Sequence, residues 1–520
     1  MKLTRRLTGS SGASIAMLTL LAGAVSSCGG GDDVEATADA DPGVDSTRVG
    51  EATADTAEAQ ELPSLLTALD SLPESTRRAL EPWTGDLPEM EQRRVIRLLT
   101  VYEPQYFGFD GHRQIGLVAE AAADLEKFLN DRLDQNRLQM VVVIQPVTRD
   151  LLLPFLEEGR GDIAAAGLTI TPERLEMVDF TNPLATGVSE VLVTGPGVEA
   201  PAGIDDLGAL ELHVNPSSSF WESLQALDER LKREGRQPLN LVAANEVLSA
   251  ADLLEQVAAG NSPATVVDDF QGKFWAQIFP ELEIHPHLAV RTEGSIGWAI
   301  RKNSPGLRDA LNEFVRHRRQ GTLTGNILIR RYTQDTARVQ RVRRAEHSAA
   351  LARLKELFQK HAAAYDLDWV LLVAQAFQES RLGADTNSGH GAVGIMQIKP
   401  ASAAEAGVHD ISTDDGNIKA GAAYLRHLID NYFDDPALDA TSRQVFAMAG
   451  YNAGPTRIRR LRRELAAAGL DPDKWFDNVE VAVAREVGSE TVRYVSNIMK
   501  YYITFTLIVE DREIEESRGL

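Results

Sequence analysis

The chain has 520 residues, more than one ordinary domain uses, and 43% of them are apolar, enough for real cores. A formal net charge of -23 argues against nucleic acid as the main partner, and against electrostatic attraction to anionic lipid or to an anionic polymer. The only cysteine, Cys28, excludes an intrachain disulfide framework and a metal site of the Cys-cluster kind.

Residues 1–28 read as an export signal: Lys2, Arg5 and Arg6 form a basic end, and an apolar run follows from Ala13 to Val25. Gly23-Ala24-Val25-Ser26-Ser27 places small residues directly before Cys28. This resembles a bacterial lipobox, in which the leader is cut before the cysteine and the thiol is acylated. The resemblance implies a lipoprotein anchored in the membrane by acyl chains, without a transmembrane helix. The alternative is an ordinary signal peptide with a stray cysteine. Gly29 rather than Asp follows Cys28, which favours the periplasmic face of the outer membrane in a diderm cell. No later run is long and apolar enough to span a bilayer.

Residues 29–90 form an acidic tether and lead-in. As far as about residue 60 they are Gly, Ala, Asp, Glu and Thr with almost no large apolar side chain, so they are expected to stay disordered. A coil of about 30 residues spans roughly 30 Å on average and up to about 100 Å when stretched. A short helical patch is expected from Pro73 to Trp83, leading into the first domain.

Residues 91–330 alternate short β-rich runs with helical ones. Val95–Val101, Met140–Gln145, Ile163–Ala166 and Glu190–Thr194 read as strands, and Ile115–Arg132 and Arg149–Glu158 as helices. A second α/β unit is expected from about Leu212 to Ile284, with strands at Leu212–Val214 and Thr265–Val267. The chain then returns through Ser295–Arg301 to the first lobe. Alternation of this kind predicts a parallel, mostly buried sheet.

The run from Gly161 to Arg174 (GDIAAAGLTITPER), followed by Val178-Asp179-Phe180-Thr181-Asn182-Pro183, resembles family 3 extracellular solute-binding proteins of amino-acid uptake systems. The resemblance implies a two-lobed α/β domain like the periplasmic binding proteins. It also implies that Thr169 and Arg174 grip a ligand's α-carboxylate and that Asp268 receives its ammonium. A guanidinium fork suits a carboxylate in two-point contact. The plainer readings are an internal ion pair of Arg174 with Glu173, Glu176 or Asp179, and a helix cap for Asp268. Glu120 departs from the Asp that many relatives carry. No permease is encoded in the chain, so this half reads as a sensing or regulatory module whose ligand is an amino acid or a muropeptide.

Residues 331–349 are basic and polar and read as a partly helical connector. Residues 350–515 are almost wholly helical in period, with Gly, Pro, Asn and Asp at the turns. Three motifs stand there in order. Glu379-Ser380 is followed by Ser388 and by Gly391–Pro400 (GAVGIMQIKP), then Asn417–Leu425 (NIKAGAAYL), then Gly450-Tyr451-Asn452-Ala453-Gly454, with a weaker echo at Glu490–Val495. Together they resemble the lysozyme-like lytic transglycosylases of the soluble-transglycosylase superfamily. Gly450 where Ala is usual and Ile395 where Leu is common are small departures. The fold expected for the whole chain is therefore multidomain: the two-lobed α/β domain, then a mainly α lysozyme-like domain.

By that resemblance Glu379 is the catalytic acid. It protonates the glycosidic oxygen between N-acetylmuramic acid and N-acetylglucosamine in the glycan strands of peptidoglycan, then deprotonates the muramyl 6-hydroxyl that closes a 1,6-anhydro ring. A greasy helix that ends on a lone acid agrees with this, because burial favours the protonated form. A two-carboxylate glycosidase needs a second acid about 5–9.5 Å away; the nearby candidate, Asp385, reads better as a solvated loop acid. Ser380, Gln397, Tyr451, Asn452 and Tyr494 are the expected substrate-binding and orienting residues, with turn, cap or core duty as the plainer alternatives. Arg457–Arg463 reads as an amphipathic helix with Ile458 and Leu461 inward and solvated arginines. No metal-ligand spacing, P-loop or dinucleotide fingerprint occurs, so no metal or cofactor is expected. The competing functions are a hydrolytic lysozyme on the same fold and a catalytically silent ligand sensor.

Overall fold

The structure, a computed structural model, describes residues 74–517 apart from 111–112, 134–137, 343–344, 381, 383–390 and 466–468. The export signal, Cys28, most of the tether, Asp385 and Ser388 lie outside the described residues.

The lead-in folds as two short helices, Glu74–Leu80 and Leu87–Arg93. Asp86 caps the second with a capping box, and its carboxylate also takes the backbone N–H groups of Gly306 and Leu307, starting a helix more than two hundred residues later. The strands are β1 (Val95–Thr100), β2 (Gly108–Asp110), β3 (Arg113–Ile115), β4 (Val141–Pro146), β5 (Ile163–Thr169), β6 (Asp179–Phe180), β7 (Ala185–Thr194), β8 (Glu211–Val214), β9 (Asn240–Ala243), β10 (Ala264–Asp268) and β11 (Glu283–Ile300). One sheet runs in the order β4-β1-β5-β11-β7-β10-β8-β9, with β6 on β11, while β2 and β3 form a separate hairpin.

The apolar runs of β1, β4 and β5 are buried on both faces, as parallel strands covered on both sides must be. β1 pairs parallel with β4 (Leu98↔Ile144) and with β5 (Leu98↔Ile163), and β8 pairs parallel with β9 and β10. The expectation of a parallel sheet is corrected in the middle. β11 runs antiparallel to β5 and β7, and β7 antiparallel to β10. These long strands carry the chain from one lobe to the other and back, so their directions must oppose. The sheet thus serves two cores: Leu98, Ile144, Ala165 and Trp298 in the first lobe, and Leu192, Val214, Val266 and Trp275 in the second.

The helical half packs around the acid helix, Trp369–Ser380, and the terminal helix, Ser489–Ser517. The terminal helix belongs to both halves. Tyr494, Val495 and Ile498 lie in the helical core, whereas Ile503 and Leu507 lie in the first-lobe core. Thr504 donates to the β4 carbonyl of Ile144 at 2.8 Å, and Lys500 pairs with Glu126 at 2.9 Å. In the helix Pro455–Leu465, Ile458 and Leu461 are buried as expected, but Arg462 is a correction. It is buried too, because Asp435, Asp473 and the Pro472 carbonyl receive its guanidinium and the Phe446 ring lies beneath it.

Candidate active site

The acid helix is apolar on most sides, which is why it buries, and its last turn delivers Glu379 to a half-buried position. Burial pushes the Glu379 carboxyl up to about 7, opposed by the hydrogen bond that it accepts from Tyr494. The Tyr494 hydroxyl reaches Glu379 Oε1 at 2.5 Å and itself accepts from Gln375 Nε2, one turn earlier on the acid helix, at 3.1 Å. Burial, reinforced by Glu379, holds the Tyr494 hydroxyl well above its ordinary range, so it stays a donor. Among the described residues no charged group contributes to the Glu379 shift.

The second wall is a tight turn. Val393 and Ile398 pair across Gly394-Ile395-Met396-Gln397. Gly394 and Gln397 both have positive φ, 74° and 44°, and a Cβ on Gly394 would sit 2.3 Å from Asn417 Nδ2, so glycine is required there. Asn417 holds the turn from the helix Asp414–Leu428. Its amide donates to the Val393 carbonyl at 3.0 Å and its oxygen accepts from Met396 N at 2.8 Å. Ser380 ties the turn to the acid helix through a 2.6 Å bond from its hydroxyl to the Ile395 carbonyl. The buried Ser380 hydroxyl therefore faces the turn. Gln397 Nε2 donates back to Gly394 O at 2.8 Å, Met396 is fully buried, and the Tyr451 hydroxyl donates to Met396 O at 2.8 Å. Asn452 is exposed at the end of the helix Ala440–Ala453, where its oxygen accepts from Thr491 at 2.8 Å, one turn from Tyr494. Glu379, Gln397, Tyr451, Asn452 and Tyr494 thus come from four separate segments to one place.

In the N-terminal half Thr169, Arg174 and Asp268 are all buried. Arg174 Nε donates to Glu222 Oε1 at 2.7 Å, Nη1 to the Thr169 carbonyl at 3.3 Å and Nη2 to the Ser217 carbonyl at 3.1 Å. The ion pair is therefore made with Glu222, on the helix Ser219–Arg233 of the second lobe, and not with Glu173, Glu176 or Asp179. Asp268 occupies the cap position of the helix Asp269–Trp275 without a side-chain cap bond, and its Oδ1 is buried without a partner. Burial, then the nearby Glu190, raises the Asp268 carboxyl well above its usual range. Glu120 pairs with Arg331 and accepts from the Tyr332 hydroxyl at 2.5 Å, fastening the helix Leu323–Thr333 to the first lobe.

Residues 356–470 match the Transglycosylase SLT domain, and residues 104–330 match the bacterial extracellular solute-binding proteins, family 3. The chain is 31% identical over 372 residues to a membrane-bound lytic murein transglycosylase F of Desulfosudis oleivorans, covering 68% of this chain and 79% of that one. It is 32% identical over 375 residues to its namesake in Maricaulis maris, covering 67% and 78%. The chain belongs to the membrane-bound lytic murein transglycosylase F family. Among solved structures, an ancestral arginine-binding protein bound to arginine is similar to it, at 20% identity over 46% of this chain and 98% of that one, with a TM-score of 0.38.

Asn417, Gln375 and Thr491 also hold the candidate site together; the first and last fall inside the sequence motifs, and none is assigned a role by the sequence. Asn417 opens the second motif, so its presence is legible there, but its bonds to the turn need the fold. Gln375 reads as one more position on an apolar helix. Its spacing of four residues before Glu379 is the one signal that could have found it.

Proposed function

We propose that Glu379 is the single proton carrier of a non-hydrolytic cleavage of peptidoglycan. The family makes the chain a lytic transglycosylase of murein with an N-terminal solute-binding module. In the scheme the protonated Glu379 gives its proton to the oxygen joining C1 of N-acetylmuramic acid to N-acetylglucosamine, and that C1–O bond breaks. The resulting carboxylate takes the proton of the muramyl 6-hydroxyl while its oxygen bonds to C1. A 1,6-anhydro ring closes, the acid is restored and no water enters. The observation that carries this is a half-buried carboxyl held at about 7, with no charged partner among the described residues, next to a tyrosine that orients it.

Tyr494 acts as the orienting donor and Gln375 fixes Tyr494. Gln397 and Asn452 present amide groups to the sugar N-acetyl and hydroxyl groups, and Tyr451 shapes the cleft. Ser380 acts as a positioning residue through the turn. The N-terminal module regulates the enzyme by binding a small ligand between its lobes. Acylated Cys28 anchors the chain in the outer membrane, and the acidic tether gives the enzyme its reach toward the wall. Among the described residues no helix is long and apolar enough to cross a membrane.

Digestion of purified wall with mass analysis of the released muropeptides tests the scheme. Products lighter by one water than their hydrolytic counterparts are expected. Reducing-end products alone would assign the chain to hydrolysis instead.

A further inference from the structure

The gap between the two lobes carries more negative charge than its own residues neutralise. Arg174, the group best suited to a ligand carboxylate, is engaged across the gap by Glu222 and by the Ser217 carbonyl. A ligand carboxylate would have to displace Glu222 from a buried, charge-assisted bond. The acids are in the opposite condition. Among the described residues, both oxygens of Glu103, 1% exposed, and Oδ1 of Asp268, 2% exposed, are buried without a hydrogen-bond partner, as are both oxygens of Asp150.

Glu103 and Asp268 come from opposite lobes and share Arg149 and Tyr106 as neighbours. Glu103 follows β1 and Asp150 follows β4 in the first lobe, while Asp268 ends β10 in the second. Glu103 feels Arg149 of its own lobe and Asp252 of the other. Asp268 feels Glu190, Arg149, Asp269 and Arg174, and Asp150 lies within electrostatic reach of Glu246. The Tyr106 hydroxyl lies near both Glu103 and Asp268. Leaving a carboxylate buried and unpaired costs several kcal/mol, so such a group holds a proton until a cation arrives. Burial accordingly pushes Glu103 up to about 7.

We propose that this gap binds an organic diamine through two ammonium groups, one received by Glu103 and Asp150 and the other by Asp268, with Glu222 holding the place a ligand carboxylate would take. The proposal rests on the reading of the N-terminal half as a ligand-binding module. It names a ligand read by its ammonium groups, whether free or carried on a larger molecule. Each ammonium supplies the hydrogen-bond donors that the buried oxygens lack, and its entry displaces protons from Glu103 and Asp268.

The test is titration calorimetry of the full chain with 1,5-diaminopentane, L-lysine and glutarate as probes. The diamine should bind, glutarate should not, and L-lysine should bind no more tightly than the diamine. Binding at pH 7 should release protons, seen as a heat that varies with the ionisation enthalpy of the buffer. Glu103→Gln and Asp268→Asn, which keep side-chain volume, should each weaken the diamine at least tenfold. Preference for L-lysine over the diamine, or unchanged affinity in both variants, would overturn the proposal. Glu222→Ala separates the two readings. If the native chain binds no probe but this variant binds L-lysine, the ligand-binding reading stands and the diamine proposal falls. If neither protein binds any probe, both fall.

Discussion

With its carboxyl pushed to about 7 by burial, Glu379 holds its proton at lower pH, so turnover on purified wall should fall as the pH rises through that value. Glu379→Gln should lower release of muropeptides by about 10³-fold, since the amide has no proton to give. The same shift bears on stability. The folded chain keeps this proton up to about 7 and the unfolded chain only to the model-peptide value of 4.5. Between those values the folded form binds the extra proton, and stability falls as pH rises through the window. Glu379→Gln removes that dependence. Urea unfolding should therefore show the variant gaining on the native chain between pH 5 and pH 8, by at most about 3 kcal/mol and less in proportion to the exposure of the group. An equal difference at both pH values would contradict the assigned cause. Tyr494→Phe removes the bond that stabilises the carboxylate, so the alkaline limb of the pH–rate profile should move to higher pH as turnover falls roughly tenfold. A limb that stays in place would mean that Tyr494 does not set the acid.

Among the elements, the turn Val393–Ile398 depends on a glycine and on hydrogen bonds from Asn417, Ser380 and Tyr451 outside it. Gly394→Ala would push a methyl group into the Asn417 amide at a positive φ, and Ser380→Ala would leave the buried Ile395 carbonyl without its 2.6 Å partner. Each should cost about 1–3 kcal/mol in unfolding experiments and lower turnover on wall, because Gln397 and the Tyr451 contact ride on the turn. Full activity in Gly394→Ala would show that the turn can relax without moving the site. The acid helix and the strands β1, β4 and β5 were legible in the sequence because apolar periodicity and length leave few alternatives. The β2–β3 hairpin was not, since three-residue strands such as Gly108–Asp110 carry no alternation. Nor were the antiparallel middle of the sheet or the Arg174–Glu222 pair. Glu222 lies 48 residues along the chain from Arg174, and only the closure of two lobes brings them together. Arg462 escaped for a similar reason: its carboxylates arrive from other segments.

The whole molecule is joined where the hairpin of the solute-binding half meets the acid helix of the catalytic half. Phe109 packs edge-on against Phe377, two residues before Glu379, with ring centroids 5.8 Å apart, and lies 5.3 Å from Phe505 of the terminal helix. On its other side Phe109 meets Phe107, at 5.4 Å, and Phe107 pairs through the backbone with Glu103 in the gap between the lobes. Ion pairs of Arg94 with Glu480 and of Lys500 with Glu126 fasten the same two halves elsewhere. The aromatic contact differs from these because it touches the helix that carries the acid. Phe109→Ala would open a void between the halves and free the last turn of that helix, without altering any group that touches substrate. It should cost about 2–4 kcal/mol, less than a fully enclosed phenylalanine because Phe109 is only partly buried. Turnover should fall about tenfold, since small misplacement of a catalytic group is expensive. Calorimetry should show the native chain unfolding in one transition and the variant in two, because the halves then melt separately. A single unshifted transition together with native turnover would mean that the terminal helix and the ion pairs fasten the two halves without help from Phe109.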